Sequence, residues 1–97
     1  ERNYEMTEAI KKNRGYVCQV CHTNIPRKGK PPYVEAAHIT PKPEDGIEIP
    51  SNIMILCPNH HKMFDKGDCN IISRTNNEIR IKANGEIWPT IDLRVRE

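Results

Sequence analysis

Asn52-Ile53-Met54-Ile55-Leu56-Cys57-Pro58-Asn59-His60-His61-Lys62-Met63-Phe64-Asp65-Lys66-Gly67 is the stretch whose reading decides the fold. Its apolar run, Ile53-Met54-Ile55-Leu56-Cys57, is far too short to span a bilayer and has the length of one strand. Pro58 suits a first helical turn, where its missing N–H would have no partner anyway, and Gly67 suits a stop. A strand leading straight into a helix is therefore expected. Working outward, residues 33 to 39 favour a second extended strand that delivers His38 at its end, and Thr40-Pro41-Lys42-Pro43-Glu44-Asp45-Gly46 breaks it. Residues 16 to 32 carry Cys18-Gln19-Val20-Cys21 and then a turn-rich stretch ending Gly29-Lys30-Pro31-Pro32. Neither a helix nor a central strand persists there, which leaves a metal knuckle and a loop. Residues 3 to 13 place Met6, Ala9 and Ile10 at helical spacing and stop before Gly15. After Gly67, residues 69 to 72 and 78 to 82 are strand-like, and an Asn84-Gly85 turn leads to Glu86-Ile87-Trp88, a small hairpin or meander. There is no internal repeat. The expected fold is a small α+β domain with an N-terminal helix, a knuckle, a strand-strand-helix core and a C-terminal β element.

The 97 residues suffice for one domain, spanning 1–97, which is read as a fragment or the C-terminal domain of a larger protein because the chain opens on Glu1. With 36% hydrophobic residues, one Trp, three Tyr and one Phe, burial alone leaves stability marginal and a staple is expected. No secretion signal opens the chain and no membrane segment occurs, so the expected location is cytoplasmic, where thiols stay reduced and free for metal. A net charge of +2 does not by itself mark a nucleic-acid binder. Its distribution is more informative. Lys11-Lys12-Asn13-Arg14, Arg27-Lys28-Gly29-Lys30 and the late Arg74, Arg80, Lys82, Arg94 and Arg96 are basic, while Glu44, Asp45 and Glu48 collect in one loop.

Cys18-x2-Cys21 and Cys57-x2-His60 form two half-sites whose spacing lets paired ligands wrap one tetrahedral ion. Thiolate and imidazole suit a structural Zn²⁺ that pins the knuckle to the start of the helix. Cys69 is a rival fourth ligand without a close-spaced partner, and a disulfide arrangement or a redox-active Cys18-x2-Cys21 dithiol are further alternatives. His22 reads as a solvent-facing or phosphate-contacting neighbour. Adjacent helical residues point about 100° apart, so His60 and His61 are expected to serve separate sites.

Ala36-Ala37-His38-Ile39, then Asn52 through His61, then Phe64-Asp65-Lys66-Gly67 resembles the HNH endonucleases of the ββα-metal fold, particularly the zinc-containing branch of restriction and phage enzymes. The resemblance covers about residues 14 to 68. It implies a metal-dependent endonuclease that hydrolyses DNA phosphodiesters, leaving 5′-phosphate and 3′-hydroxyl ends, with His38, Asn52 and His61 as its catalytic residues. The chemistry needed agrees with that. Phosphodiester hydrolysis requires an activated water and neutralisation of charge on the phosphoryl oxygens. An imidazole is a natural base near neutral pH, so His38 takes the proton from water and His61 holds a divalent ion. Asn52 either orients His38 and its loop or gives an oxygen to the ion.

One departure matters: many HNH enzymes carry an ion-binding Asp or His just before the base, and Ala37 has no ligating atom. Asp65, four residues after His61 on the same helix face, is the expected replacement, with waters or substrate phosphate completing a Mg²⁺ or Mn²⁺ shell. Ni²⁺ and Zn²⁺ are further candidates for that ion. Glu35 is the weaker option because strand alternation faces it opposite to His38. Arg27, Lys28, Lys30, Arg74 and Arg80 are candidate contacts to the backbone of double-stranded DNA. Sequence selectivity would come from a separate recognition domain, and cutting both strands would need a homodimer or two visits. The competing reading is a non-catalytic zinc-binding module for nucleic-acid or protein interaction.

Overall fold

The computed structural model describes residues 4–40 and 49–95. The proline-rich loop with Glu44, Asp45 and Glu48, and Arg96 of the late basic group, lie outside the described residues.

Helix α1 runs Tyr4–Asn13 and buries Thr7 and Ile10. It stops as its glycine foretold. Gly15 takes a left-handed φ of 81°, the Tyr16 N–H reaches back to Lys11 O, and the Gly15 N–H to Lys12 O. These bonds close the orphan carbonyls of the last turn. Arg14, between the end of α1 and Gly15, is a structural staple and not a free member of a basic surface group. Its guanidinium donates to the carbonyls of Pro50, Ile53 and Leu93 and to Gln19 Oε1. Burial lowers its pKa to about 10, with the Asp92 charge opposing the fall.

The knuckle follows, and then a short exposed hairpin of β1 (Ile25–Arg27) and β2 (Lys30–Tyr33). The sequence reading treated this part as loop. Gly29 supplies the left-handed turn residue, at φ 71°, and Pro31 and Pro32 are tolerated because, among the described residues, β2 pairs with β1 alone.

At the centre, β3 (Glu35–His38) and β4 (Ile53–Leu56) form an antiparallel pair with register Glu35↔Leu56, Ala36↔Ile55, Ala37↔Met54 and His38↔Ile53. A one-turn 3-10 helix, Pro50–Asn52, leads into β4. All four side chains of β4 are fully buried, because this pair is covered on both faces. Ala36, Ile53 and Ile55 pack with Val34 and with Ile10 of α1. Ala37, Met54 and Leu56 pack on the other face with Met63 and Phe64 of helix α2 (Pro58–Lys66). That helix begins with Cys57 as N-cap, carries Pro58 in its first turn, and stops at Gly67, where a Cβ would stand 2.5 Å from the Met63 carbonyl oxygen.

The C-terminal residues build more of the core than a terminal appendage would. Strand β6 (Glu78–Ala83) lies between β5 (Cys69–Arg74) on one side and β7 (Glu86–Ile87) with β8 (Ile91–Asp92) on the other. Its strict alternation sends Ile79, Ile81 and Ala83 inward, where they join Trp88, Ile91 and Leu93 against Cys18 and Leu56. Asn84 and Gly85 both adopt positive φ, as a two-residue hairpin turn requires.

Because Arg14 ties α1, the 3-10 turn, β4 and the C-terminal segment together, Arg14→Leu is expected to lower stability by about 3 kcal/mol. Urea unfolding with an unchanged m-value is the check. Arg14→Lys, which keeps the charge but not the planar fork, is expected to recover less than half of the loss.

Candidate functional site

Two clusters of Cys, His and acidic side chains meet at α2. In the first, one donor atom from each of Cys18, Cys21, Cys57 and His60 lies within 4.8 Å of the others. Cys21 Sγ and Cys57 Sγ are 3.8 Å apart, and His60 Nδ1 is 3.6 Å from Cys18 Sγ and 3.2 Å from Cys57 Sγ. A sulfur pair on a tetrahedral ion with bonds of about 2.3 Å stands about 3.8 Å apart, so the donor set and its spacing fit a metal such as zinc. The cysteines are free thiols, and Cys69 is outside this cluster. Local structure explains the convergence. The turn after Cys18 is closed by Cys18 N–H to Thr23 O and His22 N–H to Cys18 O, with His22 at a left-handed φ of 62°. The His60 and Trp88 rings make a T-shaped contact, 5.4 Å between centroids and 89° between planes, which packs the imidazole in place. Burial pushes the Cys18 thiol up; at Cys21 burial acts the same way, but hydrogen bonds, first that from Thr23, outweigh it and the thiol falls.

The second cluster surrounds His61. Its Nδ1 lies 2.7 Å from Glu35 Oε1 and its Nε2 lies 3.3 Å from Asp65 Oδ2. The other Glu35 oxygen accepts from Tyr33 Oη at 2.6 Å. Burial alone would raise the Glu35 carboxyl; the Tyr33 and His61 hydrogen bonds and the charges of His61 and Lys62 outweigh it and hold the group below the ordinary Glu range. Beside this cluster an open groove of about 330 Å³ is lined by Lys11, Tyr33, Val34, Glu35, Ala36 and His61.

Sequence reasoning compared the facing of Glu35 with that of His38 and did not bring Glu35 to His61, where the structure places it. The relevant comparison is with Ala37. Residues two apart on a strand share a face, and Glu35 and Ala37 both face α2. His38 leaves β3 on the opposite face, the side of its cross-strand partner Ile53. His38 and Glu35 are three residues apart, about 10 Å along an extended strand.

Asn52 is 3% exposed, and its carboxamide is spent on the turn that follows His38. Oδ1 accepts from Thr40 N at 2.8 Å and from Arg74 at 2.9 Å, while Nδ2 donates to Thr40 O at 3.1 Å. Both ends of the Asn52 carboxamide thus bond to the backbone of Thr40, two residues past His38. Arg74 also donates to Thr40 Oγ1, which sets a guanidinium beside the end of β3. On the hairpin, Arg27 donates to Pro31 O and lies 5.6 Å over the Tyr33 ring, and Lys28 and Lys30 are exposed. Arg80 is exposed on the outer face of β6.

A strand-strand-helix unit with a Cys and His knuckle at the helix N-terminus, and a carboxylate-flanked histidine one residue further on, defines a small ββα-metal domain. The HNH endonuclease family matches residues 18–72, and the chain belongs to that family. The solved structure of a "Modification dependent TagI restriction endonuclease" is similar to it, with a TM-score of 0.71 and 32% identity. The match covers 98% of this chain but 32% of that one, so the chain spans about a third of its length. No curated protein matches.

If the knuckle holds its ion as the spacing implies, the purified protein will carry one tightly bound zinc per chain by elemental analysis. Stripping it with a chelator is expected to unfold the domain, since the binding energy of such sites exceeds the stability of a small domain. Cys21→Ser is expected to do the same; a chelated protein that melts at the original temperature would count against a structural ion.

Proposed function

We infer that this chain is the cleavage domain of a metal-dependent DNA endonuclease. The observation that carries the reading is the His61 imidazole, bracketed by two carboxylates and facing an open groove on the same ββα unit in which Asn52 fixes the turn after His38. His61 and its flanking carboxylates would hold a divalent ion, Mg²⁺ or Mn²⁺ by the hardness of the oxygen donors, which would supply positive charge for the phosphoryl oxygens and the departing 3′ oxygen. His38 accepts the proton of the attacking water. Since His38 leaves β3 on the face opposite the one that His61 of α2 meets, the phosphate that engages both lies along the open edge of that strand, where no other strand pairs among the described residues.

Asn52 acts by holding Thr40, and with it the backbone just past His38. Arg74, locked by the same carboxamide, offers a charge-assisted contact to a neighbouring phosphate. Lys28, Lys30 and Arg80 are free to meet the DNA backbone further out, which positions the duplex without reading bases. The knuckle ion is structural zinc. No helix of the described residues is long and apolar enough to cross a membrane.

Target choice is assigned to a separate recognition domain, a division supported by the similar restriction enzyme, which is modification dependent and about three times as long as the stretch matched. Double-strand cutting is assigned to two copies of the domain or two successive visits. The rival reading, a non-catalytic zinc module, drew on the missing ligand at Ala37. Glu35, on the same strand face and already at His61, weakens that ground.

The test is plasmid nicking by the zinc-loaded protein with Mg²⁺ or Mn²⁺. His38→Ala is expected to slow it by about 10²- to 10⁴-fold with unchanged melting. Nicking that persists at full rate in that variant would remove His38 from the chemistry. Asn52→Ala is expected to slow nicking too, and in addition to destabilise by about 1–3 kcal/mol, because Thr40 N and Arg74 lose their acceptor.

A further inference from the structure

We propose that Glu35 and His61 are the protein ligands of the divalent ion, with Tyr33 and Asp65 as the outer partners that aim them. The proposal rests on the nuclease reading for its purpose but not for its geometry. Asp65 is the carboxylate that helix spacing points to, and four observations favour Glu35 over it. Glu35 Oε1 and His61 Nδ1 are 2.7 Å apart, against 3.3 Å for Asp65 Oδ2 and Nε2. Donors on neighbouring corners of an octahedral ion with bonds of about 2.1 Å stand about 3 Å apart, so the Glu35 pair needs little movement to share one.

Second, Glu35 is the better anchored carboxylate. Its side chain is 26% exposed and its second oxygen is held by Tyr33, whereas that of Asp65 is 48% exposed. Third, the groove beside the pair is lined by Glu35 and His61 and not by Asp65, so a phosphate and waters can reach the Glu35 side. Lys11 in the same lining adds a positive charge for that phosphate. Fourth, each proposed ligand already has the partner that metal sites use to fix orientation. A carboxylate on the far nitrogen of a ligating imidazole selects its tautomer, and a hydroxyl on the far oxygen of a ligating carboxylate fixes its plane. Asp65 on Nε2 and Tyr33 on Oε2 occupy those two positions.

The site thus makes up for Ala37 from within β3. Moving the carboxylate two residues back keeps it on the face turned to α2, and the longer side chain of Glu covers part of the added distance.

The experiment measures Mn²⁺ binding to the zinc-loaded protein without DNA, by the electron paramagnetic resonance signal of free Mn²⁺, alongside plasmid nicking and thermal melts. Glu35→Gln is expected to weaken Mn²⁺ by at least about 100-fold, Glu35→Asp less, and Asp65→Asn and Tyr33→Phe by about 10-fold. Melting temperatures of the near-isosteric variants report that the fold is intact, and Mn²⁺ broadening of the His61 imidazole resonances in the wild type locates the ion. Should Asp65→Asn abolish binding while Glu35→Gln leaves it intact, the ligand assignment is wrong. It is equally wrong if Glu35→Gln binds Mn²⁺ and nicks like the wild type. Glu35-dependent binding without any nicking by the wild type supports the ion site and overturns the nuclease reading instead.

Discussion

Four donor atoms brought together by the knuckle and the first turn of α2 constrain everything else in this domain. They fix not only where the helix starts but how it is rotated about its axis. With His60 turned to the thiols, the next residue points about 100° away, and that direction is toward β3. His61 therefore meets Glu35 because His60 is tied down. Trp88 against the His60 ring extends the same constraint to the C-terminal sheet, whose inward residues share one core with Cys18 and Leu56.

The strand pair supplies the complementary half of the geometry. Because β4 is buried on both faces, its register with β3 cannot slip without moving whole sets of side chains into the wrong layer. A shift of one residue would exchange Glu35 for an apolar neighbour at His61 and turn His38 to the α2 side. Apolar packing thus sets the position of two polar groups. Arg14 reinforces the arrangement by bonding the carbonyls of Pro50 and Ile53 at the start of β4 and that of Leu93 just after β8. Asn52 performs a similar service at the other end of the hairpin, with a backbone turn as its object.

Much of this was legible in the chain. Helix stops at Gly15 and Gly67, the Asn84-Gly85 turn and the two half-sites of the knuckle are local signals, each set by one or two residues. So was the separation of His60 from His61, which follows from helical periodicity alone. What the sequence hid depends on pairing between distant segments. Arg14 read as one more surface cation because its three carbonyl partners lie from 36 to 79 positions away. The hairpin around Gly29 hid behind its two prolines, and the share of the core built by β6 and Trp88 shows up only once the sheet is folded onto Leu56. The contact of Glu35 with His61 was hidden in the same way, since strand alternation compares residues of one strand and not a strand with a helix 26 positions on.

The central claim is that one helix, held by a knuckle ion, presents a second ion site made with Glu35. Anomalous diffraction from crystals soaked in Mn²⁺, recorded at the zinc and manganese edges, tests it most directly. A zinc peak among Cys18, Cys21, Cys57 and His60 and a separate manganese peak in contact with His61 Nδ1 and Glu35 Oε1 are the expected result. A single peak, or manganese bound elsewhere while Glu35 and His61 remain paired to each other, would contradict it.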